Sequence, residues 1–285
     1  MPIELTKIYF FLTLSLIVIY FLGKAINYFL AFQNDNNIFF NLFIGSIFSV
    51  ITISIFSCGI KTIQILFLIP MASALIINKE KFKINSSSRD FFLKKDFLNI
   101  GSLTFVSLII YVFNSFQLIS LEPFYFKPPH PDFFHYAKHS IYMFQSGNEN
   151  YFRESNLFFQ DVFSGISPYH YFEIWLNTIF YNCFQISSIK SLMLITFPFL
   201  QICCIFGLIE ISSYYFKSNF FLLLLSSIIL LNITPIYFSF YENFEILNYS
   251  SGICQTSILG FSKKYSPIVM FTIAGILLFK MNKKP

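Results

Sequence analysis

All four histidines of the chain, His130, His135, His139 and His170, fall between positions 130 and 170. Six of its fourteen acids, Glu122, Asp132, Glu149, Glu154, Asp161 and Glu173, fall between 122 and 173. Trp175, the single tryptophan, follows at once. Imidazoles and carboxylates exchange protons near neutral pH and ligate metals. A stretch that only connected two elements would be richer in Ser, Gly and Lys and poorer in His and aromatic residues. The stretch 121–169 is therefore where this chain's chemistry is expected.

Its centre reads PPHPDFFHYAKHSIYMFQSG. Pro131 suits a helix start and Gly147 a helix stop, which predicts a helix over 132–146. At 100° per residue, Phe133, Phe134, Ala137, Ile141 and Phe144 share one face, and Asp132, His135, His139 and Ser146 share the other. Such a helix lies in a membrane interface with its polar side toward water. Two readings stay open. Asp132 either caps the helix or serves as a catalytic or binding carboxylate. His135 and His139, one turn apart, are either the wet side of the helix or ligands to a divalent metal ion shared with a carboxylate.

A second cluster stands at SPYHYFEIWLN, where His170, Glu173 and Asn177 share one helical face. They bond each other or line a site, and a loop that folds back brings them to the first cluster. Lys138 and Arg153 are candidates for binding phosphate, with snorkelling toward headgroups as the plain alternative for Lys138. Trp175 and its neighbouring tyrosines are expected in the aromatic belt of a membrane protein.

These residues need elements to hold them, and the composition says what kind. The chain is 55% hydrophobic and only 12% charged, with a mean hydropathy of +0.64. Soluble domains carry about 25% charged residues, so this chain lacks the charge for a surface that faces water. Apolar runs near the ~20 residues of a membrane crossing recur at 8–32, 38–57, 62–78, 97–120, 170–188, 190–214, 219–240 and 266–281. The expectation is an all-α, polytopic transmembrane bundle of about eight spans, a single membrane domain over 1–285. It divides into an N-terminal three-helix region with its loop (1–96), a span with the functional loop (97–190) and C-terminal helices (191–285).

Residues 79–96 hold six basic residues (Lys79, Lys81, Lys83, Arg89, Lys94 and Lys95), which marks a cytoplasmic loop. One crossing later, 121–169 faces the other side. By the same count the tail around Lys280 falls outside, against the charge rule, unless one late segment does not cross. Pro198 is expected to kink its helix. Lys24 and Glu210 are the ionisable residues placed within spans. The five cysteines have no CxxC pair and read as small buried hydrophobes. No basic stripe or recognition module points to nucleic acid.

An Asp opening an amphipathic helix in a large outer loop, P-D132-F-F-H-Y-A-K-H-S, followed by S-G147-N-E149-N, resembles the GT-C type membrane glycosyltransferases. These include the protein O-mannosyltransferases and the lipid A aminoarabinose transferases. The resemblance covers about 120–190, in a chain shorter than that family usually has. It implies a plasma (inner) membrane enzyme with its functional loop on the non-cytoplasmic side. It implies a polyprenyl-phosphate-linked sugar as donor and an envelope glycan, lipid or protein as acceptor. Asp132 would be the general base, Glu149 or Asp161 the second acid. Arg153 or Lys138 would stabilise the leaving phosphate, and His135, His139 and His170 would orient Asp132 or hold a metal. The alternatives are a transporter or flippase component, or a non-catalytic membrane assembly protein.

Overall fold

A computed structural model of the protein describes residues 2–29, 37–56, 86–118, 132–146, 171–215 and 262–281. All of the regular structure among them is helical: α1 Pro2–Phe29, α2 Ile38–Phe56, α3 Ser86–Leu118, α4 Asp132–Ser146, α5 Tyr171–Phe184, α6 Ser188–Ser191, a π turn Leu192–Thr196, α7 Phe197–Tyr215 and α8 Ser262–Met281. The expected spans 62–78 and 219–240 lie outside the described residues.

Two stretches, Glu4–Asn27 and Ser188–Ser213, are long and apolar enough to cross a membrane. Ile38–Ser54, Asp96–Val112 and Ser266–Lys280 are shorter apolar helices. The polarity of these helices is inverted. On α2, Asn41, Ser46 and Ser49 are buried while Phe48 and Ile51 are exposed; on α3, Ser107, Asn114 and Ser115 are buried while Phe97, Leu98, Phe105, Leu108 and Val112 are exposed. An apolar exterior over a polar-seamed interior suits lipid rather than water as the surrounding solvent.

The close contact of α1 and α2 rests on two glycines. A Cβ on Gly23 would stand 1.7 Å from the Asn41 carbonyl oxygen, and one on Gly45 would stand 2.2 Å from that of Ile19. Without side chains there, the antiparallel backbones touch, which is how helices associate where apolar surface alone gives no drive. α3 is also antiparallel to α1. Tyr111 donates to the Leu5 carbonyl at one end, Tyr9 to that of Thr104 in the middle, and Lys24 meets Asp96 at the other end.

Three expectations change. The basic loop was expected to reach residue 96, but α3 begins at Ser86 and runs 33 residues. No Gly or Pro interrupts 86–100, so nothing stops the helix from continuing past the apolar run. The segment 170–188 was expected to span. Instead α5 has 14 residues, about 21 Å of helix. It turns at Gln185, whose φ of 53° is left-handed, and folds back on α6–α7.

Third, 170–188 was expected to run opposite in sense to 97–120, yet both are antiparallel to α1. Phe184 stacks on Phe11 at 4.3 Å, whereas Phe172 meets Phe271, which also meets Phe43. The hairpin dictates this. α6 starts where Lys190 pairs with Glu4, so α5 must end there. α7 then runs in the sense of α1, its Gly207 lying against Phe39 and Ile273, and Cys204 donates to the Ser266 carbonyl of α8. α8 follows the same sense, which brings Lys280 to the end of the bundle that holds Lys24 rather than to the opposite one.

The kink expected at Pro198 takes the form of the π turn just before it. Proline has no N–H for the Leu194 carbonyl and its ring crowds that group, and a wider turn accommodates both.

Replacing Gly23 by Ala is expected to destabilise the protein by about 1–3 kcal/mol or more, because backbone rather than a flexible side chain must move. Gly275→Ala, where nothing lies within 4 Å, is expected to leave thermal stability in detergent unchanged. Equal melting temperatures for the two variants would contradict the backbone contact.

Candidate functional site

The site is built where α4 lies along α5 and the start of α6. The two helices are parallel: Ser140 meets Asn177 and Thr178, and Phe144 meets Tyr181. Both pairings share one offset, which sets Tyr136 level with Glu173 and the start of α4 level with the start of α5.

The orientation of α4 differs from the expected one. Its buried side is Phe133, Tyr136, Ala137, His139, Ser140 and Met143; its exposed side is Phe134, His135, Lys138, Ile141 and Gln145. The helix is thus turned by about a quarter turn from its most apolar face, at roughly 100° per residue. The reason is close approach. Ala137 and Ser140 are small enough to let the Ser188 side chain of α6 and the side chains of α5 reach α4. Phe134 and Ile141 are left outside, where an apolar surround accepts them.

Asn177 is the hub. Its amide nitrogen donates to Ser140 Oγ at 3.0 Å, to Ser188 Oγ at 2.9 Å and to the Ser188 carbonyl at 3.3 Å. Its amide oxygen accepts from Thr196 Oγ1 at 3.2 Å, at the end of the π turn. Ser188 Oγ donates on to the Ala137 carbonyl at 2.8 Å, and Thr178 Oγ1 donates to the Ser140 and Ile174 carbonyls. All of these side chains are buried. Four segments are therefore tied through one carboxamide in a site of low dielectric, where each bond is stronger and each loss more costly.

The two neighbouring histidines differ in exposure. His135 is exposed, whereas His139 is 1% exposed and its ring stacks on that of Tyr142 at 6.1 Å. Burial, helped by nearby His135, pulls the His139 pKa from its ordinary 6.5 down to about 4. The imidazole is neutral at pH 7. Among the described residues no group of three or more His, Cys, Asp or Glu could hold a metal ion. His135 and His139 remain neighbours one turn apart on the helix, one exposed and the other buried. Lys138 is exposed, as phosphate contact or snorkelling both require.

Glu173 is buried, 3% exposed, in the first turn of α5. Asp132 opens α4 as expected; its side chain, together with Glu149, Arg153, Asp161 and His170, lies outside the described residues. Trp175 is not in an aromatic belt. It is fully buried, with its ring edge-on to Tyr171, because its face of α5 packs into the core rather than toward headgroups. Cys203 and Cys204 are buried thiols, as expected.

The sequence reading singled out Asn177 but missed its partners Ser140, Thr178, Ser188 and Thr196. It also missed Asp96 as the partner of Lys24, and the buried Asn114–Gln201 bond of 2.8 Å between α3 and α7. The available signal was small polar residues inside apolar runs, which join helices in membranes.

Comparison with models of known protein families found no match, and comparisons with curated proteins and with solved structures found none either.

Asn177→Leu leaves Ser140, Ser188 and Thr196 short of a buried partner and is expected to lower stability by about 1–3 kcal/mol per group left unsatisfied. Undiminished resistance of the α4–α5 region to proteolysis would contradict the hub. His139 gives a pH dependence. Its folded pKa lies below the unfolded one, so the unfolded chain binds the extra proton between the two. Its contribution is intact above about pH 6.5 and is lost as the pH falls from there to about 4. His139→Asn is expected to flatten denaturation curves over that window; an unchanged acid limb would contradict the assignment.

Proposed function

We propose that this chain is a multi-pass membrane glycosyltransferase of the GT-C type. It moves a sugar from a polyprenyl-phosphate donor to an envelope glycan, lipid or protein acceptor. The observation that carries the reading is the parallel alignment of α4 and α5. It brings the residue that opens α4, Asp132, to the same end as Tyr171 and Glu173. A general base must be held within hydrogen-bond reach of the proton it takes. A carboxylate at the start of a helix whose body is clamped by the Asn177 hub meets that demand better than one on a free loop.

In this reading Asp132 takes the proton of the acceptor hydroxyl, and Glu149 is the second acid. Lys138 and Arg153 offset the charge that develops on the leaving lipid phosphate. His170 and Glu173 line the acceptor side. The substrates are then reached at the end of the bundle where α4 and α5 open, toward Lys24 and Asp96; this reading puts that end on the non-cytoplasmic side, against the charge rule for the basic stretch 79–95.

A second reading is a transporter or flippase component. What favours it is the burial of His139, Glu173 and Asn177 inside the bundle, beside a helix broken by a π turn. Transporters place polar groups at such interruptions.

Asp132→Asn, expressed at wild-type level, is expected to reduce glycan transfer by about 10²–10⁴-fold. Undiminished transfer would exclude Asp132 as the base. Membrane-impermeant reagents are expected to label Lys138→Cys from the non-cytoplasmic side; labelling only from the cytoplasmic side would overturn the orientation.

A further inference from the structure

Among the described residues, α3 leaves one apolar stripe exposed. Phe97, Leu98, Phe105, Leu108 and Val112 lie on it, and a Cβ on Gly101 would meet nothing within 4 Å. Leu98, Gly101, Phe105, Leu108 and Val112 stand three and four residues apart in turn. That alternation is the spacing of a line along which a second helix packs at a shallow angle. Gly101 lies within the line and leaves room for another backbone, as Gly23 and Gly45 do between α1 and α2. Lipid tails need neither the alternation nor the gap.

The course of the chain points to the occupant. α2 and α3 are both antiparallel to α1, so they run in the same sense. Gly45 lies at Ile19, and α2 continues from there toward the Glu4 end as far as Phe56. Asp96 lies at Lys24, toward the other end. Phe56 and Asp96 are therefore about 24 Å apart along α1, at ~1.5 Å per residue, and the start of α3 at Ser86 lies about 15 Å further on. Residues 57–85 join the two helices, so this stretch has to return along the bundle. It holds the apolar run 62–78, about 25 Å long as a helix, against about 22 Å for the stripe from Phe97 to Val112. Only residues 79–85 then separate the run from Ser86, and a connection that short joins helices lying side by side.

We propose that residues 62–78 cross the membrane as a helix packed antiparallel on this stripe of α3. With Asn78 level with Asp96, Ser73 stands level with Gly101 and Leu66 with Leu108. Ala72, Ser73 and Ala74 are small, so the two backbones approach closely at Gly101. Lys79, Lys81 and Lys83 fall in the connection, beyond the apolar length. Pro70 lies within the run, and spanning helices tolerate proline where a neighbouring helix packs on them. A second copy of the chain fits the same stripe, but 62–78 is tethered to α3 by a short connection, which raises its local concentration there. The contact does not involve α4 or α5 and holds whichever function they serve.

Cysteine pairs test this, in protein whose native cysteines are replaced by alanine and which is held in lipid nanodiscs. Oxidation with copper phenanthroline is expected to join Gly101→Cys to Ala72→Cys, Ser73→Cys or Ala74→Cys within one chain, read by mass spectrometry of the linked peptides. Leu108→Cys with Leu66→Cys is the second pair, should Gly101→Cys fail to fold. Lys61→Cys and Lys83→Cys are expected to take a membrane-impermeant label from opposite sides. Gly101→Leu gains helix propensity and suits a lipid-facing stripe, yet it is expected to lower the melting temperature because its side chain meets the packed segment. Labelling of Lys61→Cys and Lys83→Cys from one side overturns the crossing. Links formed only between two copies, or no link from either pair while the helical circular dichroism is intact, overturn the placement on α3. So does a melting temperature that Gly101→Leu leaves unchanged or raises.

Discussion

A polar group inside this bundle has to find its partner within the bundle, and the Asn177 carboxamide shows the consequence most fully. It bonds Ser140 of α4, Ser188 of α6 and Thr196 of the π turn. Each of those elements is short or interrupted, and none would hold its position through apolar contact alone, because apolar surface adheres to lipid as readily as to protein. Directional bonds from one amide fix the rotation of α4 as well as its place. The orientation of any group at the start of α4 is therefore set several residues away, at Ser140.

The same requirement operates at the other end of the bundle with charge in place of amides. Lys24 would be costly inside an apolar helix on its own, at about 2.5–3.5 kcal/mol near a bilayer centre. Asp96 cancels the charge, and Tyr20 and Asn99 complete the hydrogen bonding. Asn114 and Gln201 join α3 to α7. The bundle thus has a polar seam along its interior and an apolar coat, and the glycine contact of α1 with α2 lets the seam close.

Much of this was legible in the residue pattern, and the failures share a cause. Helix α2, the start of α4 at Asp132 and the helical face of Glu173 and Asn177 followed from apolar runs, proline placement and periodicity. The face that α4 buries did not. Hydrophobicity selects Phe134 and Ile141 for the inside, whereas fit selects Ala137 and Ser140, and where lipid accepts phenylalanine, fit decides. Trp175 misled for the same reason: its amphipathic ring suits a headgroup layer, but its neighbours on α5 fill the core. The length of α5 was hidden because the run 170–214 is apolar throughout, and only Gln185, with its left-handed backbone, marks the turn. Asp96 lay at the edge of a basic stretch and read as part of it until α3 carried it against Lys24.

The π turn at Leu192–Thr196 has a bearing on how such a chain can vary. A π turn spends one more residue per turn than an α-helix does. Everything beyond it, including Gln201 and the free thiols of Cys203 and Cys204, sits about 100° further round than an uninterrupted helix would place it. Loss of a single residue there would keep the hydropathy of the segment and spoil its phase, parting Gln201 from Asn114. Substitution can therefore be generous along this segment while insertion and deletion cannot, and descendants of this sequence should drift in composition while keeping their count between Asn177 and Gln201.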